Sequence, residues 1–257
     1  MQLSITTSDG HVLQAVHESR GADRVILMCH GISSDKEEKG SFTDFAQRAA
    51  ARGFDSLRFD FRGHGESSMR PVDVTIAGMI IDLGAALDYL CRRYDSVHLL
   101  AASFGASIAL LLGQKSRFDR FDRICLWNPV TDYASTFTRA TMPWGRSFFP
   151  QGGSDEAVRQ CPIAIPDRPF QFGVQMAREL YELSPSAARP ARERPLLVLH
   201  GVDDQLVASR DSVAFVESQD TSNARLLLFD RCGHGLRERM DEVFERTVDF
   251  FDRRESP

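Results

Sequence analysis

Leu99-Leu100-Ala101-Ala102-Ser103-Phe104-Gly105-Ala106 is the stretch on which the reading of this chain turns. The apolar run up to Ala102 is strand-like, and the apolar positions that follow, Ile108, Leu111 and Leu112, recur at helical spacing. A strand turning sharply into a helix leaves Ser103 at the corner with its hydroxyl exposed, beside a helix amino terminus that favours negative charge. A serine alcohol is a weak nucleophile near neutrality. Chemistry at that corner therefore requires a base, a group that orients the base, and donors for a developing oxyanion. Taken by itself, Ser103 reads more simply as a small residue that lets a strand and a helix pack closely.

Working outward, Leu3 to Thr7 and His11 to His17 flank Ser8-Asp9-Gly10 as a hairpin. Val25-Ile26-Leu27-Met28-Cys29 is a continuous apolar run ending at His30-Gly31, as in a strand covered on both faces. Ser41-Phe42-Thr43-Asp44 resembles a capping box, and Phe42, Phe45 and Ala49 then mark a helical stripe that Gly53 ends. Phe54 to Phe59 reads as a strand leading into the glycine-rich loop from Asp60 to Ser67. Ile76, Ile80, Leu83, Leu87 and Leu90 predict a helix of about five turns before the Ser103 strand.

Beyond Ser103, Ile124 to Trp127 is a further buried strand, and residues 131 to about 192 then break the rhythm with prolines, aromatics and arginines. That segment is expected to be a lid inserted between two core strands. Alternation resumes with Leu196 to Leu199, a helix from Ser209, a strand from Arg225 to Phe229, and an amphipathic helix using Met240, Phe244, Val248 and Phe251. The pattern predicts the α/β class: a mostly parallel sheet covered by helices on both faces, one domain over 1–257, with functional groups at the carboxyl ends of strands.

Composition narrows the partners. With 257 residues, 42% hydrophobic and 26% charged, the chain is long enough for one well-buried α/β core. A net charge of −5 gives no electrostatic case for nucleic acid or an anionic membrane, so a small molecule is the expected partner. No apolar run approaches the ~18 to 20 residues that span a bilayer. The amino-terminal Met1 to Thr6 lacks the features of a secretory signal, and a cytoplasmic location is the expectation. Five cysteines without CxxC or Cys/His ligand spacing suggest neither a disulfide framework nor zinc.

Four predicted strand ends carry polar residues: His30-Gly31, Ser103, Asp203-Asp204 and Cys232-Gly233-His234-Gly235. His234, between two glycines just past a strand, is an accessible imidazole and the candidate general base. The chain order Ser, Asp, His, with each on a different strand end, resembles that of the α/β-hydrolase superfamily. Further matches are the loop from Asp60 to Ser67 and His200-Gly201-Val202-Asp203-Asp204. The resemblance implies the α/β-hydrolase fold and a serine hydrolase. Ser103 would be the nucleophile and Asp204 the group orienting His234, with Asp203 the adjacent alternative. The backbone amides of Ile32 and Phe104 would form the oxyanion hole. No metal or organic cofactor is implied. The elbow departs from GxSxG, since Ala101 stands where the first glycine would be.

His30 to Glu38 with Phe59-Asp60-Phe61-Arg62-Gly63 is similar to bacterial feruloyl-type carboxylesterases, and the alanine-led elbow more faintly to acyl-transferring thioesterases of luminescence systems. The expected substrate is therefore an acyl ester or thioester. The alternatives are an acyltransferase or thioesterase acting on an acyl carrier, and a non-catalytic ligand-binding protein of this fold. Phe137, Trp144 and Phe148, with Phe149, Phe170 and Phe172, either line an acyl pocket or form the lid's own core. Arg139 and Arg146 are candidates for meeting a carboxylate or phosphate, against the plainer reading as solvated arginines. His30 and His200 are expected to brace loops, His64 to belong to an architectural loop, Cys232 to be packed, and Glu37-Glu38-Lys39 to be a solvated helix entrance.

Overall fold

The computed structural model describes residues 1–114, 118–192, 194–219 and 221–253, so the last four positions of the expected domain lie outside the described residues. Its strands are β1 (Gln2–Thr6), β2 (Val12–Glu18), β3 (Arg24–Cys29), β4 (Asp55–Phe59), β5 (Ser96–Ala102), β6 (Ile124–Trp127), β7 (Ile163–Ala164), β8 (Gln171–Phe172), β9 (Leu196–Gly201) and β10 (Ala224–Phe229). Eight of these form a sheet in the order β1-β2-β4-β3-β5-β6-β9-β10, while β7 and β8 form a separate hairpin. The β1–β2 and β2–β4 pairings are antiparallel, and every later pairing in the large sheet is parallel. This is the mostly parallel sheet that the alternation predicts, in the α/β-hydrolase arrangement that the resemblance implies.

Alternation of side chains along the central strands explains the two covered faces. Val25, Leu27 and Cys29 of β3, with Leu99 and Ala101 of β5, point into one core, packed by α2 (Ile76–Cys91) and α3 (Ser103–Gly113). Ile26, Met28, Leu100 and Ala102 point into the other, packed by α1 (Ser41–Ala51) and the final long helix, Met240–Asp252. Covered on both sides, β3 has no place for a polar residue between Val25 and Cys29. Buried ion pairs secure the loop after β4. Asp60 accepts from the Lys36 amide at 2.6 Å and from Lys36 Nζ at 2.8 Å, and Arg62 donates to Asp82 at 2.7 Å.

The segment between β6 and β9 contains a π turn (Ala134–Thr138), α4 (Pro143–Phe148), α5 (Ser154–Gln160), the β7–β8 hairpin and α6 (Val174–Glu182). After β9 come α7 (Ser209–Glu217) and, after β10, the final helix, α8. Among the described residues no helix is long and apolar enough to cross a membrane.

One local expectation fails. Ser41 does not open a capping box: Gly40, at φ +95°, occupies the cap position of α1 without a side-chain cap, and Ser41 Oγ donates back to the Glu38 carbonyl at 2.6 Å. The chain enters α1 through a tight turn over Glu38–Gly40, which places Ser41 already inside the helix.

Candidate active site

Ser103 directly follows β5, opens α3 and has φ +49°. A residue other than glycine held there costs about 1–3 kcal/mol, a strain that persists only where the surroundings enforce it. Close approach makes the corner. A Cβ on Gly105 would lie 2.3 Å from the His30 carbonyl oxygen and 2.7 Å from that of Cys29, so only glycine lets α3 begin against the end of β3. A Cβ on Gly31 would meet Ser103 Cβ at 3.1 Å. Ala101 is fully buried inside β5 between Cys29 and Leu126, where the core accommodates its methyl group.

The structure brings the three sequence-predicted side chains into one hydrogen-bonded line. His234 Nε2 lies 3.0 Å from Ser103 Oγ, and His234 Nδ1 lies 2.7 Å from Asp204 Oδ2. Asp204 Oδ1 accepts from the amides of Leu206 and Val207 at 2.8 and 3.0 Å, and Oδ2 also faces His200 Nε2 at 3.1 Å. Burial would raise the Asp204 carboxyl, but the electrostatic pull of His234 and the hydrogen bonds from His200 and His234 outweigh it and hold the group well below the usual carboxylate range. An ionised Asp204 accepts from Nδ1–H, which leaves Nε2 free to accept from the serine. Asp203 is exposed and outside this line.

Ile32 and Phe104 are buried beside the corner. Phe104 sits in the first turn of α3, where amides lack an intrahelical acceptor, and the Ile32 amide has no acceptor among the described residues. His30 braces this loop: Nε2 accepts from the Phe61 amide at 3.1 Å, so Nδ1 carries the proton and donates to the Gly31 carbonyl at 2.8 Å. Burial pushes its pKa down to about 4. His200 is likewise locked, with Nδ1 2.7 Å from Ser212 Oγ. His64 stacks on Phe170 at 4.7 Å and does not line the cleft around Ser103. Cys232 is buried, and that burial pushes its thiol up to about 11.

The aromatic residues between β6 and β9 pack on one another. Phe137 contacts Trp144 at 5.9 Å and Phe172 at 5.6 Å between ring centres, and Phe148 stacks on Phe172 at 6.1 Å. Phe137 also meets Phe104 at 6.1 Å, behind the corner. Phe137, Trp144 and Phe148 do not line the cleft of about 60 Å³ around Ser103. This packing favours the lid-core reading of these rings. Arg139 and Arg146 are exposed and do not line the cleft either.

The cleft instead receives Asn128 and Arg168, which the sequence reading passed over, and Glu38, which it placed at a solvated helix entrance. Asn128, with φ +42°, accepts from the Gly201 amide at 3.0 Å and ties the ends of β6 and β9 together. Glu38 corrects the expectation of a solvated entrance. Successive left-handed residues, Glu38 and Lys39, reverse the chain there, so the carboxylate turns inward and accepts from the Gly31 amide at 2.8 Å. Burial pushes that carboxyl up, against the opposing effect of the hydrogen bond from Gly31. A polar residue just past an apolar strand was the available signal for Asn128; nothing in the local sequence distinguishes Glu38 from Glu37.

A family model described as serine aminopeptidase, S33, matches residues 20–239. The chain belongs to this hydrolase family. Among solved structures, this S33 hydrolase is similar to Est1E from Butyrivibrio proteoclasticus with ferulic acid bound, at 19% identity and TM-score 0.81 over 97% of each chain. It is also similar to the Pyrococcus furiosus esterase Pf2001, at 18% identity and TM-score 0.72, covering 100% of this chain and 93% of that one. A third similar structure is the esterase EaEST from Exiguobacterium antarcticum, at 18% identity and TM-score 0.73 over 98% and 100% of the chains. At these identities the likeness is one of fold.

Proposed function

We propose that this S33 hydrolase is a serine carboxylesterase working through an acyl-enzyme. The observation that carries the reading is the line from Ser103 Oγ through His234 to a buried, ionised Asp204. Ser103 Oγ attacks the ester carbonyl while His234 Nε2 takes its proton, and the Ile32 and Phe104 amides receive the oxyanion. Collapse expels the alcohol, which takes the proton back from Nε2. Water, activated by the same nitrogen, then releases the acid. Asp204 stays ionised throughout, holding the imidazole tautomer.

Esters are preferred over amides as substrates because the fold neighbours include esterases and one of them holds ferulic acid. The same steps serve a thioester, so a panel of esters, thioesters and amides of graded acyl length sets the leaving group. The segment 131–192 is read as a lid over the site. The decisive test is labelling by a fluorophosphonate together with turnover of short esters. Wild type should label stoichiometrically; Ser103→Ala should not, and should lose about 10⁶-fold in kcat. Retained turnover in Ser103→Ala, or a wild type that neither labels nor turns over, overturns the reading.

A further inference from the structure

The cleft around Ser103 is bordered by three cations brought from separate segments. Lys39 comes from the turn before α1, Arg168 from the β7–β8 hairpin, and Arg237 from three residues beyond His234. This concentration occurs in a chain whose net charge is −5. Elsewhere, buried guanidinium groups are neutralised by carboxylates: Arg58 pairs with Glu18 and Glu37, and Arg62 with Asp9 and Asp82. None of the three cations forms an ion pair among the described residues; Arg168 donates to Ser33 Oγ at 3.2 Å. Glu38, the carboxylate among the cleft residues, accepts from the Gly31 amide and offsets part of the Lys39 charge, as Glu238 does for Arg237.

Like charges gathered at a narrow opening repel one another and focus a positive field into it. A bound anion removes that repulsion, and a guanidinium offers a carboxylate paired donors in a fixed geometry. The cleft is narrow, at about 60 Å³. It accommodates the reacting carbonyl group and leaves any further substituent at the rim, where the cations are. We infer that this enzyme selects esters bearing a carboxylate close to the scissile bond, with Arg168 its principal partner and Lys39 and Arg237 completing the field. The inference rests on the esterase reading and adds a substrate class to it.

Two matched pairs locate the carboxylate. Monomethyl glutarate against methyl glutaramate places the charge on the acyl side, and acetoxyacetate against acetoxyacetamide places it on the alcohol side. In at least one pair the anion should exceed its neutral amide in kcat/KM by about tenfold. Arg168→Gln should cut that ratio at least fivefold, and the triple change with Lys39→Gln and Arg237→Gln should remove it. Calorimetric binding of the same pairs to Ser103→Ala separates recognition from chemistry. An anion preference there without turnover in wild type overturns the esterase reading and keeps the anion site. Equal binding of anion and amide, or a preference that survives the triple change, overturns the anion site.

Discussion

At the carboxyl ends of β3, β5, β9 and β10, side chains are positioned by backbone: a left-handed Ser103, glycines pressed against carbonyls, and an aspartate fixed by two amides. Between β6 and β9, by contrast, order comes from rings packed on rings, with few directional bonds to the cleft. Directional contacts fix positions to fractions of an ångström and tolerate no substitute. Apolar packing fixes volume, and many sequences satisfy it. The first region is thus suited to setting the chemistry, while the second is held by volume alone.

The largest effect should come from the most directional contact. Asp204→Asn keeps the shape but offers His234 Nδ1 an amide, and kcat should fall about 10⁴-fold. Asp203→Asn, one residue away and exposed, should stay within about threefold. Steady-state kinetics on one short ester decides; similar losses in both variants would show that the sheet edge is less specific than its geometry implies. Between β6 and β9, Phe172→Ala should cost about 3–5 kcal/mol of stability by removing a fully buried ring. At temperatures where the variant remains folded, fluorophosphonate labelling of Ser103 should persist. Loss of labelling in a folded Phe172→Ala would merge the two regions.

A smaller effect should come from the corner itself. Gly105→Ala forces a methyl group against two carbonyl oxygens, and should cost about 1–3 kcal/mol by denaturant unfolding while slowing turnover, because Phe104 must shift with it. Ala101→Gly, at the position where the elbow departs from GxSxG, should leave turnover within about threefold. The reverse ranking would mean that the strand side, not the helix side, limits this corner.

The contrast also explains what was legible. The strands, the helices and the order Ser103, Asp204, His234 are written locally, as apolar runs broken by glycine and a polar residue. Choosing Asp204 over Asp203 needed the resemblance, since one residue along a turn decides which carboxylate points inward. Glu38 and Arg168 were not legible because their placement depends on left-handed turns and on how the β7–β8 hairpin docks, neither of which leaves a period in the sequence. The capping box at Ser41 failed for the same reason: backbone entering from Glu38 and Lys39 fixed the helix start before the side chains could.

The finest test sets a group in the sheet against one in the segment between β6 and β9, by sign. His98 of β5 is packed between Phe54 and Phe251, with ring centres at 5.6 and 5.2 Å, and burial pushes its pKa from 6.5 down to about 4. Between those values the unfolded chain binds a proton that the folded chain declines, so its stability contribution is full above pH 6.5 and lost as pH falls. Glu179 of α6 reaches across to accept the Ile76 and Ala77 amides at the start of α2, at 2.5 and 3.4 Å, and burial raises its carboxyl above 4.5. Its contribution runs the other way, present below pH 4.5 and lost as pH rises. Unfolding free energies should therefore gain less with pH between 5 and 6.5 in His98→Phe, by up to about 1.4 kcal/mol per pH unit, and gain more with pH just above 4.5 in Glu179→Gln. His98 Nδ1 has no partner among the described residues and Nε2 has a long contact with Ser96 Oγ at 3.5 Å, so phenylalanine forfeits little hydrogen bonding there. An unchanged slope in either variant would show that its group keeps its ordinary titration in the folded chain.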